Sequence, residues 1–553
     1  MRRVIILTFI ACAMLCAAMI CVAQEQTEPA GRGGAGRGGA GRGGFGGFGG
    51  FGMRGGTPPA WIEEGYNDHQ NMMEQLGIKT LRPGKSGSNQ TGPGFEEATA
   101  NEWMPTMPDV LTMKDGTKVT TREQWPKRRA EILEDFEREV YGRIPSNVPK
   151  VTWEVTNTTE GSVGDVPTIT KTLVGHVDNS AFPDITVDIQ ASFTVPANAP
   201  GPVPVFMQFG GGFGMMGGGM RGGTRGSRGP ATNTGPGAMA PATQEGMFSF
   251  AAFGGGAPRG TGARGGAGAR GGAGGRGGFG GFGGGANSVS QQAISHGWGY
   301  GSINPGSIQA DSGGNSLRQG IIGLTNKGKP RKPDDWGALR AWGWGVGKLI
   351  DYFEANPDSK VDPKKVSIEG VSRYGKAALV TQAFDPRVAV ALVASSGEGG
   401  AKLHRHDFGE AVENLTGTGE YHWMCGNFLK YGTKEFTDSS KKEMNASDLP
   451  VDSHELIALC APRPCFISYG VEPGDPKWVD APGSYRAGIL ASKVYELLGK
   501  KGYGSDVKDW VQEPLPPVGT LKGGDLAFRQ HEGGHTSGPN IPIFFEWVGD
   551  YIK

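Results

Sequence analysis

Gly370-Val371-Ser372-Arg373-Tyr374-Gly375-Lys376 sets a serine between two runs of opposite character, with two cations within four residues of it. Upstream, Val366-Ser367-Ile368-Glu369 reads as a short strand, and downstream Ala377-Ala378-Leu379-Val380 opens an apolar helical face. A serine at such a sharp strand-to-helix turn is held above the first amides of the helix, the arrangement called a nucleophile elbow, so the pattern predicts serine hydrolysis. The other reading of the same residues is a turn in which Gly370 and Gly375 relieve crowding while Ser372 caps the helix.

The segments around the turn alternate between helix and strand. Trp336, Leu339, Trp342, Val346 and Leu349 recur at helical spacing, which predicts an amphipathic helix ahead of the strand. After the turn, Val388 to Ala394 is a continuous apolar run suited to a strand covered on both faces. Pro464 to Tyr469 reads as another core strand and Tyr485 to Leu498 as a covering helix. This order predicts a mostly parallel sheet between layers of helices.

Earlier in the chain, Ile185 to Phe193 alternates like an antiparallel strand with one buried face. Pro202 to Phe209 is apolar enough for a buried strand, with its prolines fixing the start. Between Phe209 and the polar, aromatic pattern of Ser288 to Ser302 lies a Gly-rich tract at about 210–285, read as a flexible insertion within one domain. A second such tract fills much of 24–56. The catalytic domain is therefore expected over 57–553, interrupted by the insertion.

Glycine supplies 98 of 553 residues, far above the ordinary usage of about 7 %. Basic and acidic side chains balance at 55 each, so net charge gives no reason to expect a polyanionic partner. Arginines among the glycines, with Phe45 and Phe48, resemble a single-stranded nucleic-acid segment, but the start of the chain argues for export and against that partner. Arg2 and Arg3 precede an apolar run from Val4 to Val22, which predicts a secretory signal peptide over 1–23 and a secreted or periplasmic protein without stable membrane insertion after cleavage. Cys425, Cys460 and Cys465 would remain, too few and too scattered for a disulfide framework or a metal site.

A base for the serine is sought downstream. His531 and His535 flank Glu532-Gly533-Gly534 with the spacing of a zinc-binding helix, but two glycines at about 1 kcal/mol each disfavour that helix. A glycine-rich loop can instead aim His535 at Ser372, and a late histidine fits the chain order of α/β-hydrolases.

With these pieces assembled, the chain resembles the glucuronoyl esterases of carbohydrate esterase family 15, particularly bacterial members, over most of residues 180–553. The resemblance rests on Asp334 to Trp342, on Gly370 to Lys376 with Val371 where the family has cysteine, and on Ser396 to Gly400. It continues through His422-Trp423, Leu456 to Pro464 and Gly534-His535. It implies an α/β-hydrolase three-layer sandwich, with the Gly-rich insertion outside the match. It also implies Ser372 as nucleophile, His535 as base, Arg373 as oxyanion stabiliser and Lys376 as a sugar contact.

Many members carry the triad glutamate where this chain has Ser395. A serine hydroxyl cannot stabilise an imidazolium as a carboxylate does, so another acid is needed. Asp475, just after the predicted strand, is the preferred acid; Glu472, Glu398 and Asp480 are the alternatives. The resemblance further assigns Trp478 to the border of the uronate site and Glu410 to sugar hydroxyls, with Glu420 competing for the latter role.

The function so implied is hydrolysis of esters between (4-O-methyl-)glucuronic acid of glucuronoxylan and lignin alcohols, needing neither metal nor organic cofactor. Two alternatives stand beside it: an inactive carbohydrate-binding esterase-like protein, prompted by Ser395, and another ester hydrolase of the acetyl or feruloyl type.

Overall fold

The strand leading into Ser372 spans Val361–Val371 and lies near the middle of a ten-stranded sheet. The computed structural model describes residues 59–210, 288–504 and 506–552. The expected signal peptide at 1–23, the Gly-rich segment at 24–56 and the insertion beyond Gly210 lie outside the described residues. Every described residue belongs to one contact-defined unit.

In chain order the strands are β1 (Ile78–Leu81), β2 (Val151–Val163), β3 (Val166–Val177) and β4 (Asp188–Pro196). Next come β5 (Val203–Phe209), β6 (Gly299–Ile303), β7 (Val361–Val371) and β8 (Val388–Ala394). The last four are β9 (Thr433–Phe436), β10 (Cys465–Gly470), β11 (Lys522–Gly523) and β12 (Leu526–His531). The large sheet runs β11-β12-β10-β8-β7-β5-β6-β4-β3-β2, and β1 pairs with β9 in a separate ribbon. From β6 through β5, β7, β8 and β10 to β12 the pairing is parallel. The meander β2-β3-β4 joins β6 antiparallel, and β11 closes the other edge antiparallel. The expectation of a mostly parallel sheet therefore describes its centre, and antiparallel strands extend both flanks.

Alternation along the central strands feeds two cores. Ala391 and Val393 of β8 join the larger cluster, while Val390 and Leu392 join the smaller one. Helices Ala338–Ala355, Arg373–Phe384, Ser453–Cys460 and Ala481–Leu497 cover the first face. Helices Val289–Ser295 and Ile541–Val548 cover the other, where Phe206, Phe466 and Phe544 meet. The result is the three-layer arrangement of the α/β-hydrolases. In the first of these helices Leu339, Trp342, Val346 and Leu349 are buried as their spacing predicts, each large apolar side chain contributing about 1.5–3 kcal/mol. Trp336, expected on the same helix, is buried just before its first turn.

Register brings the site together. Val371 pairs with Ala394, Ala394 with Ser468, and Gly470 with His531. The carboxyl ends of β7, β8, β10 and β12 thus stand side by side, and the residues that follow them share one rim, where open α/β sheets place their ligand crevices.

Candidate active site

Ser372 has φ 62° and ψ −129°, a backbone conformation that side-chain-bearing residues rarely adopt. Its hydroxyl does not cap the following helix, so the helix-cap reading of this serine fails. The turn is held by the Ser372 amide donating to the Ala394 carbonyl at 2.9 Å and by the Lys376 amide donating to the Ser372 carbonyl at 3.0 Å. A Cβ at Gly370 would collide with the carbonyl of Tyr374, which explains the glycine two residues before the serine.

Ser395 follows β8 with φ 42° and donates its amide to the Ser468 carbonyl at 2.8 Å, tying the ends of β8 and β10 together. Its Oγ lies 2.5 Å from Asp475 Oδ2, which also accepts from the Gly470 amide at 2.8 Å. Asp475 Oδ1 lies 2.7 Å from His535 Nδ1. The carboxylate is buried and the imidazole about one-third exposed, with side-chain exposures of 2 % and 36 %. A carboxylate at Nδ1 holds the ring with its proton on that nitrogen and leaves Nε2 as an acceptor. The two loops interlock: the His535 amide donates to the Gly474 carbonyl at 3.1 Å, and a Cβ at Gly470 would strike the Gly534 carbonyl.

The three alternative acids have other partners. Glu398 is buried with Lys402 at 2.7 Å and with His404; burial acts to raise its carboxyl, but these two partners hold it below the usual range. Asp480 bonds His406 Nδ1 at 2.6 Å and caps the helix Ala481–Leu497 through the Gly483 amide at 2.9 Å. Glu472 is exposed beside Lys477. The two histidines that share the spacing of a zinc motif also part company. His531 ends β12 and accepts from the Gly533 amide at 3.0 Å, while His535 faces Asp475.

The first helical turn after Ser372 supplies two cations in different settings. Arg373 is half-exposed, lies over the Tyr374 ring and pairs through Nε with Asp311 at 2.5 Å. Lys376 is buried. Its ammonium donates to the Ser396 carbonyl at 2.6 Å and to Glu410 Oε2 at 2.7 Å, and sits 5.5 Å from the centre of the Trp423 ring. Two of its three N–H donors are thus used. Burial pushes Glu410 above the usual carboxylate range despite Lys376, and its Oε2 also accepts from the Glu398 amide at 2.9 Å. The Glu410 amide donates to the Trp478 carbonyl at 2.9 Å, which brings these two predicted sugar contacts into one wall. Glu420 is pushed up to about 8, first by burial and then by the charge of Glu410, and its Oε2 has no partner.

Sequence reading missed Asp311. It lies in the loop after β6, where its Oδ1 accepts from His422 Nε2 at 2.9 Å and Trp423 Nε1 at 2.7 Å while Oδ2 faces Arg373. Burial acts to raise its pKa, but the His422 bond and the Arg373 charge hold it low. His422-Trp423 was visible as a motif, yet no local signal joins that pair to an aspartate more than a hundred residues upstream. The three cysteines at 425, 460 and 465 are buried and free.

Residues 331–499 match the family described as fungal glucuronyl esterase. The chain is 31 % identical over 444 residues to carbohydrate esterase MZ0003 of an unknown prokaryotic organism, covering 80 % of this chain and 88 % of that one. It is 37 % identical over 172 residues to a 4-O-methyl-glucuronoyl methylesterase of Wolfiporia cocos, covering 30 % of this chain and 39 % of the relative. Among solved structures, a family 15 glucuronoyl esterase from Teredinibacter turnerae superposes with a TM-score of 0.67 at 32 % identity, over 87 % of this chain and 98 % of that one. A chain that shares this fold, and this much sequence over nearly the whole length of such relatives, belongs to the glucuronoyl esterases of carbohydrate esterase family 15.

Proposed function

We propose that Ser372, His535 and Asp475 form the catalytic triad of this esterase, acting on esters of glucuronic or 4-O-methylglucuronic acid such as those joining glucuronoxylan to lignin alcohols. The observation that carries the reading is the hydrogen-bonded run Ser395–Asp475–His535 on the strand rim that also bears the Ser372 elbow.

In the first half-reaction His535 Nε2 takes the proton of Ser372 as Oγ attacks the ester carbonyl. Asp475 keeps the ring oriented and stabilises the imidazolium, the part a serine at 395 cannot play. The tetrahedral oxyanion is met by Arg373 and amides of the turn. Collapse breaks the acyl–oxygen bond, and the alcohol departs with the proton from His535. Water then attacks the acyl-serine by the same route, releasing the uronate and restoring Ser372. Lys376, with one donor unspent, and Glu410 and Glu420 bind sugar hydroxyls, while Trp478 borders the ring.

The role of Asp475 removes the reason for treating Ser395 as the mark of an inactive binding protein. Export follows from the arginine-led apolar segment at 1–23, and among the described residues no helix is long and apolar enough to cross a membrane. Rates on methyl glucuronate, an acetylated sugar and a feruloyl ester test the assignment. Preference for the uronate ester is expected, and hydrolysis confined to the acetylated sugar overturns it.

A further inference from the structure

A cavity of about 460 Å³ opens where residues 82–103 cross the 407–445 region, apart from Ser372. Its charged lining is internally matched. Arg82 spends its guanidinium on Glu413 at 2.8 Å, Glu443 at 3.0 Å and the carbonyls of Tyr431, Thr433 and Met444. Lys85 pairs with Asp407 at 2.5 Å. With Lys434 added, the lining cations and carboxylates balance, so the cavity has no excess charge with which to select an ion.

What remains unspent is polar and adaptable. The Trp103 indole N–H, the Lys434 ammonium and the Asn445 side-chain Nδ2–H make no hydrogen bond among the described residues. Glu413 Oε2 is buried without a partner, in a side chain only 9 % exposed. Trp103 and Pro83 line the cavity together with these donors and the one acceptor in a neutral setting, a lining that suits a ligand with one apolar face and several hydroxyls. A pyranose has that character.

The cavity is tied to the proposed sugar wall by short lengths of chain. Asp407 and Glu413 each stand three residues from Glu410, a span of at most about 10 Å. Lys85 stands two residues before Gly87, whose backbone lies against the Trp478 ring, and the Gln90 side chain accepts the Trp478 amide at 3.2 Å. We infer that the cavity beside Trp103 is a subsite for a neutral sugar unit of the polysaccharide that carries the esterified uronate. This rests on the uronate-ester reading above.

The test compares full-length wild type with Trp103→Ala and Lys434→Ala on methyl glucuronate and on a polymeric glucuronoxylan ester. Trp103→Ala is expected to lower kcat/KM on the polymer by about tenfold while leaving the small ester within about twofold. Lys434→Ala, at an exposed position safe for folding, is expected to shift the polymer alone by a smaller factor. Equal losses on both substrates, or none on either, overturn the subsite. Calorimetric titration with an unsubstituted xylo-oligosaccharide gives a readout independent of turnover: wild type binds and Trp103→Ala binds more weakly. Failure to hydrolyse methyl glucuronate would count against the function above, whereas unchanged oligosaccharide binding in Trp103→Ala would count against the subsite.

Discussion

Asp475 and His535 come from loops after two neighbouring parallel strands and meet at 2.7 Å, with the second carboxylate oxygen of Asp475 occupied by Ser395 and the Gly470 amide. The aspartate therefore reaches the imidazole from beyond β10, while the residue after β8 supports the aspartate. Asp475→Asn is expected to lower kcat by about 10³- to 10⁴-fold with little change in KM. Ser395→Ala removes only a supporting hydrogen bond and is expected to cost about tenfold. Steady-state kinetics on methyl glucuronate check both, and an Asp475→Asn enzyme within tenfold of wild type would point to a different acid.

Asp311 anchors Arg373 and also receives the His422 and Trp423 donors. Losing an oxyanion donor typically costs about 10²- to 10³-fold, so Arg373→Ala is expected in that range and Asp311→Asn at about tenfold. On the proposed mechanism the aspartate acts through the arginine, so the double variant should be no slower than Arg373→Ala alone. Multiplicative losses would show that Asp311 contributes by another route.

The parts of this architecture that were legible in sequence are the local ones. The elbow announces itself because its glycines, serine and flanking apolar runs are contiguous, β8 because burial on both faces makes it continuously apolar, and β10 because it opens with the apolar run Cys465 to Ile467. Asp475 could be nominated from its place after β10, but its bond to His535 exists only once parallel pairing sets Gly470 beside His531. Strand β2 escaped notice because most of its residues face solvent, leaving no alternation to read. Asp311 escaped for a different reason: its partners lie on other segments, and an aspartate in a loop has no signature of its own.

Glu420 gives a pH-dependent signature of stability. Its carboxyl is raised from 4.5 to about 8 in the folded chain, so the folded state keeps a proton that the unfolded state has lost between those values. Stability contributed by this site therefore falls as pH rises across that window, is unaffected below it and is fully forfeited above it. Glu420→Gln abolishes the titration. The variant should melt higher than wild type at pH 9, with the advantage shrinking towards pH 4 in calorimetric scans; a constant difference across pH would show that Glu420 titrates normally.

Gly370 faces the Tyr374 carbonyl with no room for a Cβ. Gly370→Ala is expected to destabilise the fold by about 1–3 kcal/mol and to lower kcat together with stability, because the clash displaces the turn that carries Ser372. Denaturant unfolding alongside kinetics checks this, and an alanine variant of unchanged stability would show that the turn relaxes freely.

The proposed mechanism rests first on Ser372. The decisive measurement is turnover of methyl 4-O-methylglucuronate by wild type and Ser372→Ala, with unfolding curves and uronate binding recorded on the same preparations. The expected result is loss of nearly all hydrolysis, about 10³-fold or more, with stability and uronate binding retained. Undiminished hydrolysis by the folded alanine variant would remove Ser372 from the reaction and the proposed mechanism with it.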